Sequence, residues 1–318
     1  MPAVWYTLRH LVPWTGYPYV GQSVQCNLCG SRETVIIGRI DRRLKRLTSV
    51  CCSQCGLIRT DPMPTAEELA SYYADSYRLD YQGAFGGQPP RFHVTRSLRE
   101  ARARAALLAP ALRPGAQVLD FGSGSGEFIA LVQEAGCEVV GIEPSRAYAA
   151  FARRRYGVTV IEDESQASFA PEYFDVITTH HVLEHLRDPV DALRRLARWL
   201  APNGVLYVSV PHMAAEHKRP HERFHFGHTH GFVPETLNLA ALCSGLEPDP
   251  RFCPEGTTVV YRKTNGPAPP TIAAPEIVAR IIDLYSRQRL LPYVASGAWL
   301  WPVLRRNAKV LRDSVFLR

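Results

Sequence analysis

Three groups of residues in this 318-residue chain have the types and spacings that do chemistry. The first is Val118-Leu119-Asp120-Phe121-Gly122-Ser123-Gly124-Ser125-Gly126-Glu127-Phe128, an apolar pair that ends a strand, three alternate glycines and a helix start. Glycines so placed let the backbone turn sharply or approach a ligand where a Cβ would collide. The second is Cys26-Asn27-Leu28-Cys29-Gly30, repeated as Cys52-Ser53-Gln54-Cys55-Gly56 after 22 intervening residues. Two residues between cysteines put both thiolates on one side of a tight turn, and two such turns build a tetrahedral Zn(Cys)4 site. Four thiolates close the coordination sphere, so Cys26, Cys29, Cys52 and Cys55 are expected to hold a structural Zn2+. The third is a crowding of histidines: six of eleven, at 212, 217, 221, 225, 228 and 230, lie in one short stretch.

The glycine loop has a partner further on. Cys137-Glu138-Val139-Val140-Gly141-Ile142 reads as the next strand of a βαβ unit and ends at Glu143-Pro144-Ser145. A carboxylate at that strand end, 23 residues after Asp120, can accept both ribose hydroxyls of a nucleoside. Dinucleotide sites want G-x-G-x-x-G, whereas Gly122, Gly124 and Gly126 run G-x-G-x-G behind the acidic Asp120. That spacing is the pattern of S-adenosylmethionine (SAM) sites, with Glu143 as ribose ligand.

These groups need elements to hold them. Strands are expected at 116–120, 137–142, 158–161, 174–179 and 204–210, and helices at 127–135, 145–155 and 189–200, giving a doubly wound α/β sheet of Rossmann-like order. Arg96 to Leu108 has helical composition and precedes the cofactor strand. Strand 174–179 delivers His180-His181-Val182-Leu183-Glu184-His185 to the ligand crevice, with His181, Glu184 and His185 one turn apart on a helix face. Asn203-Gly204 is read as the turn into strand 204–210. Ahead of this domain, Thr34–Ile37 and Leu57-Ile58 read as strands of a small zinc-ribbon-like module, and Thr65-Ala66-Glu67-Glu68 as a capped helix start. The expected domains are 1–62 (arm and zinc module), 63–264 (cofactor domain with a helical lead-in) and 265–318 (linker and basic helical tail).

Composition is that of an ordinary globular protein, with 46% hydrophobic and 21% charged residues. No run approaches the roughly 20 apolar residues of a membrane span, and the N-terminus lacks an apolar core with a small-residue cleavage site, so the expected compartment is the cytoplasm. A net charge of +7 permits contact with phosphates, nucleic acid or an anionic membrane without choosing among them. The tail, with Trp299, Trp301, Arg305, Arg306, Lys309 and Arg312, reads either as a helix docking on the domain or as a basic amphipathic helix touching a membrane surface. Eight cysteines in such a chain argue for metal rather than disulfides; Cys51 repeats no register, and Cys137, Cys243 and Cys253 are assigned to burial.

On the glycine loop, Gly141-Ile142-Glu143-Pro144-Ser145, Phe174-Asp175-Val176-Ile177, His181-Val182-Leu183-Glu184-His185-Leu186-Arg187-Asp188-Pro189 and Pro202-Asn203-Gly204-Val205, the chain resembles class I SAM-dependent methyltransferases. With Cys52-Ser53-Gln54-Cys55-Gly56-Leu57-Ile58-Arg59-Thr60-Asp61-Pro62 and Tyr72-Tyr73, it is similar to a bacterial subgroup with an N-terminal zinc module, associated with sugars, polysaccharides and secondary metabolites. The resemblance implies cofactor contacts at Asp120, Gly122, Ser123, Gly124, Gly126, Glu143 and Pro144, an adenine contact at Asp163 or else Glu162, and His180 beside the methionine moiety. It implies transfer of a methyl group to a small, sugar-containing or other acceptor.

Methyl transfer to a hydroxyl needs a base near neutral pKa. The candidates are His225, His228 or His230, in a loop that resembles the His-Glu-His element of sugar C-methyltransferases except that Gly227 or Thr229 stands at its glutamate. A second reading gives His181, Glu184 and His185, with His230, a second divalent cation that polarises the acceptor; the spacing resembles a cation site of some RNA-end and quinone O-methyltransferases, in which Glu stands where this chain has His181. Two other classes compete. One is a zinc-knuckle RNA methyltransferase, for which Arg42, Arg43, Lys45 and Arg46 form a short basic run; the other is a non-catalytic SAM-fold scaffold.

Overall fold

The computed structural model of the protein describes residues 15–42, 44–75, 88–162, 164–215, 220–264, 266, 272–286, 295 and 297. In chain order its strands are β1 (Thr34–Ile40), β2 (Arg46–Cys52), β3 (Ile58–Thr60), β4 (Gln117–Phe121), β5 (Glu138–Ile142), β6 (Val160–Ile161), β7 (Phe174–His180), β8 (Leu200–Ser209), β9 (His230–Gly231), β10 (Leu246–Pro248) and β11 (Thr258–Lys263). Its α-helices are α1 (Ala66–Asp75), α2 (Arg91–Leu108), α3 (Glu127–Glu134), α4 (Arg146–Tyr156), α5 (Pro189–Trp199), α6 (Pro234–Leu242) and α7 (Pro275–Ser286). Asp163, the side chain of His221, His217, most of the 265–270 linker and the tryptophans of the tail lie outside the described residues.

The chain forms two units, one drawn from 1–85, 212–231 and 271–318, the other from 86–211 and 232–270. In the first, an antiparallel sheet of order β1-β2-β3-β9 carries the cysteine turns. Its last strand begins 170 residues after its neighbour ends, and pairing of Ile58 with Gly231 and Arg59 with His230 brings it there. Helix α1 starts in a capping box: Thr65 N donates to Glu68 Oε2 at 2.8 Å and Glu68 N to Thr65 Oγ1 at 3.2 Å. Its Tyr72 packs edge-on to Phe226, which stacks on Tyr17. Helix α7 packs on β1 and β2 with Ile281 and Tyr285 buried, and the Tyr285 hydroxyl donates to Met213 O at 2.8 Å.

The second unit is a seven-stranded sheet of order β10-β11-β8-β7-β4-β5-β6. Strands β4 to β8 run parallel, β11 is antiparallel to β8 and β10 antiparallel to β11. The chain steps outward from β4 through β5 to β6, then returns to β7 on the other side of β4. That reversal makes the carboxyl ends of β4 and β7 the crevice where open parallel sheets bind ligands. Val118, Phe128, Ile129, Val176, Val205 and Val260 fill its core. Helix α5 presents Val190, Leu193, Leu196 and Ala197 to the interior, and Asp188 caps it by accepting from Asp191 N at 2.9 Å.

Several expectations change. Residues 63–75, 212–215, 220–231 and 272–286 join the cysteine-bearing unit rather than the cofactor domain or a separate tail, because β9, α1 and α7 pack on its sheet and aromatic cluster. Asn203-Gly204 is not a turn: β8 already starts at Leu200, with a register shift against β7, and a Cβ on Gly204 would lie 2.9 Å from Phe174 O. The sequence reading did not include α6, β10 or β11, although Thr258-Val259-Val260-Tyr261 has strand composition.

One buried ion pair ties helix to sheet in the second unit. Arg104 of α2 donates through Nη1 to Asp120 Oδ1 at 3.0 Å, and Thr178 of β7 donates to the same oxygen at 2.5 Å. Arg104 also lies 3.8 Å from the centre of the Phe128 ring. Removing one partner of such a pair leaves a buried charge uncompensated. Arg104→Ala is expected to lower stability by about 3–5 kcal/mol in urea unfolding, whereas substituting the exposed Arg102 leaves the midpoint within the scatter of the measurement.

Candidate cofactor and zinc sites

The glycine loop is pinned to its neighbouring strand before any ligand is considered. Gly122 N and Ser123 N both donate to Ile142 O, at 2.8 and 2.9 Å. Gly124 N donates to Glu143 Oε2 at 3.0 Å and Ser145 N to Glu143 Oε1 at 2.8 Å, so the carboxylate is aimed by the loop and by the start of α4. Each oxygen accepts one of these bonds, and a carboxylate has the acceptor sites that a ribose diol requires. At Gly126, with φ of 91°, an added Cβ would come within 2.7 Å of Ala152 Cβ, so this glycine lets α3 and α4 approach. At Gly124, with φ of 56°, a Cβ would meet nothing within 4 Å. Among the described residues nothing fills the space that glycine faces beside Glu143, a cradle that fits a nucleoside, and buried Ser123 Oγ and Thr179 Oγ1 have no hydrogen-bond partner. Asp120 differs from its sequence reading in emphasis: it is fully buried and its carboxylate faces Arg104 and Thr178.

Two imidazole–carboxylate pairs stand at the carboxyl end of β7. His180 Nε2 lies 3.8 Å from Glu100 Oε2 of α2, and its Nδ1 lies 3.3 Å from the Tyr207 hydroxyl. Burial pushes the His180 pKa down, partly offset by Glu100, whose own carboxyl His180 holds below its ordinary value. His181 leaves the strand with φ of 57°, an uncommon backbone state for a residue with a Cβ, while its N–H still donates to Ser209 O at 2.8 Å. Its Nδ1 is 3.2 Å from Oε1 of the buried Glu184. Burial disfavours the charged imidazole, but the hydrogen bond and charge of Glu184 outweigh it, and the His181 pKa is raised. His181 is 49% exposed. The expected helix face is instead this left-handed residue followed by a 3-10 turn at Leu183–His185, with His185 Nε2 3.8 Å from Glu184 Oε1.

The other candidate bases belong to the cysteine-bearing unit. His225 is 1% exposed; its Nδ1 accepts from Gly227 N at 3.1 Å, so Nε2 carries the proton toward the Tyr72 hydroxyl at 3.4 Å. His230, also 1% exposed, has Nε2 at 2.9 Å from Asn27 Oδ1 and Nδ1 at 3.3 Å from Thr229 Oγ1. An amide oxygen only accepts, so Nε2 of His230 is the donor. Both rings thus find hydrogen-bond partners within their own unit. His228 is half-buried, its N–H donating to His225 O at 2.9 Å. Of the basic run, Arg43 lies outside the described residues and Arg46 is exposed, whereas Lys45 is 1% exposed and its ammonium lies over the Tyr17 ring. Sequence reasoning missed Glu100 and Arg104. The signal available was a charged residue in the apolar stripe Ala101, Arg104, Leu108.

The four cysteines converge as expected. Their sulfurs all lie within 4.8 Å of one another, with Cys26 to Cys55 and Cys29 to Cys52 each at 3.5 Å. A tetrahedral ion with Zn–S bonds of about 2.3 Å spaces its ligands by about 3.8 Å, so the set fits zinc. Gly30 and Gly56, both at positive φ, close the two turns, donating to Cys26 O at 2.8 Å and Cys52 O at 3.0 Å. Sulfur contacts from Cys26 and Cys55, and then the amides of Cys55 and Gln54, hold the Cys52 thiol below its ordinary pKa. Burial pushes Cys51 up to about 12, which suits a packed thiol.

Residues 92–249 match the family model described as a methyltransferase domain, and with the sheet order and glycine loop they form a class I SAM-dependent methyltransferase domain. Over 102 residues the chain is 33% identical to a ubiquinone biosynthesis O-methyltransferase of Stutzerimonas stutzeri, an alignment covering 30% of this chain and 44% of that one. Over 112 residues it is 34% identical to the C-methyltransferase NovU of Streptomyces niveus, covering 32% and 26%. The chain thus spans less than half the length of the curated relatives it matches. Among solved structures, the 1,6-didemethyltoxoflavin-N1-methyltransferase of Burkholderia thailandensis aligns with a TM-score of 0.45 at 20% identity, over 67% of this chain and 97% of that one. No helix among the described residues is long and apolar enough to cross a membrane.

Purified protein is expected to carry one zinc per chain by elemental analysis. Cys52→Ala should lose it, whereas Cys51→Ala should retain it.

Proposed function

We propose that the chain methylates a hydroxyl of a small acceptor, sugar-containing or of another metabolite class, using SAM, with His181 as the base that takes the hydroxyl proton. The observation that carries this reading is the His181–Glu184 pair: a half-exposed imidazole at the carboxyl end of β7, held through Nδ1 by a buried carboxylate. With Nδ1–H directed at Glu184, Nε2 is the nitrogen left to accept a proton. Glu143 would hold the ribose diol, and Gly124 would let the nucleoside approach the loop backbone. Bound SAM would supply an electrophilic methyl group on a sulfonium. Since such a displacement is in line, the protein's work is to align the acceptor, exclude water and remove one proton. The similarity to a ubiquinone biosynthesis O-methyltransferase supports oxygen as the acceptor atom.

Calorimetry with SAM and S-adenosylhomocysteine tests the cofactor. Losing two charge-assisted hydrogen bonds in Glu143→Ala should weaken binding on the order of a hundredfold. Absence of binding by folded wild-type protein would leave a scaffold.

The base is tested by pH. A histidine base works in its neutral form, so kcat/KM should rise with pH through a limb above the ordinary histidine value, because Glu184 raises the His181 pKa. Glu184→Gln removes that charge and should move the limb to lower pH, while His181→Ala should cost roughly 10²–10⁴ in kcat. Full activity of His181→Ala toward a hydroxyl acceptor would exclude His181 without touching the cofactor assignment.

A further inference from the structure

We propose that the zinc site positions the histidine segment 225–231, and that Asn27 is the residue through which the first cysteine turn does so. Asn27 lies between Cys26 and Cys29, so closing that turn on a metal fixes its side chain. Its Oδ1 accepts the Nε2 proton of His230 at 2.9 Å, across 203 residues of sequence. The imidazole is 1% exposed, so breaking this bond would strand a buried N–H at a cost water cannot relieve.

The second cysteine turn grips the same segment from its backbone. Leu57 follows that turn, its carbonyl accepting from Cys52 N at 3.0 Å, and β3 begins at the next residue. Strand β3 then pairs with β9, Arg59 opposite His230 and Ile58 opposite Gly231. One residue on, Thr60 N donates to Thr229 O at 2.9 Å. Gly231 seats tightly there, for a Cβ would lie 2.8 Å from Met213 and 3.3 Å from Ile58. A side-chain grip and a backbone grip therefore converge on two adjacent residues, each originating at a pair of zinc ligands.

The segment is also held at its aromatic end, where Phe226 stacks on Tyr17 and the Tyr73 hydroxyl donates to Gly227 O at 3.0 Å. Strand β9 has two residues, too few to define a ladder alone. Its His225 end is held by the Tyr72 contact and by Gly227 N donating to Nδ1. The side chain whose place depends on both ends is His228, with its N–H on His225 O and its carbonyl 3.5 Å from Thr60 Oγ1. Metal bound by four cysteines thus sets the order of a segment about 200 residues away, and Asn27 is a positioning residue that binds no metal.

Hydrogen exchange on the full zinc-loaded chain tests this. Chelation should raise exchange at 225–231 at least tenfold while β11 amides stay protected. Asn27→Ala should do so at undiminished zinc content, and Asn27→Asp, which keeps the acceptor oxygen, should stay within about threefold of wild type. Nitrogen NMR of the histidines provides a second readout, in which the Nε2-protonated form of His230 seen in wild type is lost on chelation and in Asn27→Ala. Unchanged protection and tautomer in zinc-loaded Asn27→Ala, or chelation that loosens only residues 26–55, would overturn the proposal.

Discussion

The pair between Arg104 and Asp120 is the constraint on which the cofactor domain depends. Asp120 ends the first strand of the parallel sheet at its crevice, and burying its carboxylate is tolerable only because a guanidinium and the Thr178 hydroxyl meet it there. The requirement reaches further than one strand. Arg104 brings α2 down onto β4, Thr178 draws in β7, and one turn earlier on α2 Glu100 meets His180. The two strands that flank the reversal of sheet order are thereby locked to one helix, and the loops leaving them inherit that fixed origin.

From that origin the site is assembled mostly by backbone. The glycine loop is held by Ile142 O, and Glu143 by two amides, so neither depends on a long flexible side chain for its aim. The carboxyl end of β7 differs. His181 stands in a left-handed conformation at a residue that bears a side chain, sustained by its N–H on Ser209 O and its ring on Glu184. Such backbone strain persists only where the surrounding structure over-determines it.

What was legible in the sequence was local. The alternate glycines, the C-x-x-C-G repeat and the Thr65–Glu68 capping box each declare their structure within a few residues, and strands β4 to β7 fall within two residues of expectation. What was illegible was pairing across long separations. Nothing near His230 announces that Asn27 will hold its ring, and nothing near Lys45 announces that its ammonium will be buried against Tyr17. The histidine-rich stretch reads as a loop of the cofactor domain because it follows β8 directly. Its membership is decided by β3, whose edge it completes. The helix expected at His181 failed for a related reason: the periodicity was present, but a bond to the neighbouring strand took the backbone elsewhere.

The same long-range closure has a consequence for biosynthesis. Strand β3 is made early, but Thr229 and His230, which complete its edge, are synthesised about 170 residues later. At roughly 5–20 residues per second, that interval is on the order of ten to thirty seconds. Throughout it the nascent chain carries an open sheet edge, a template for pairing with the wrong strand. The cysteine turns can close as soon as Cys55 has left the ribosome, long before that edge is covered. Were those turns to capture the metal proposed for them, a preformed half-sheet would wait for its last strand, and metal supply would bear on how many chains finish folding rather than only on how stable the finished ones are.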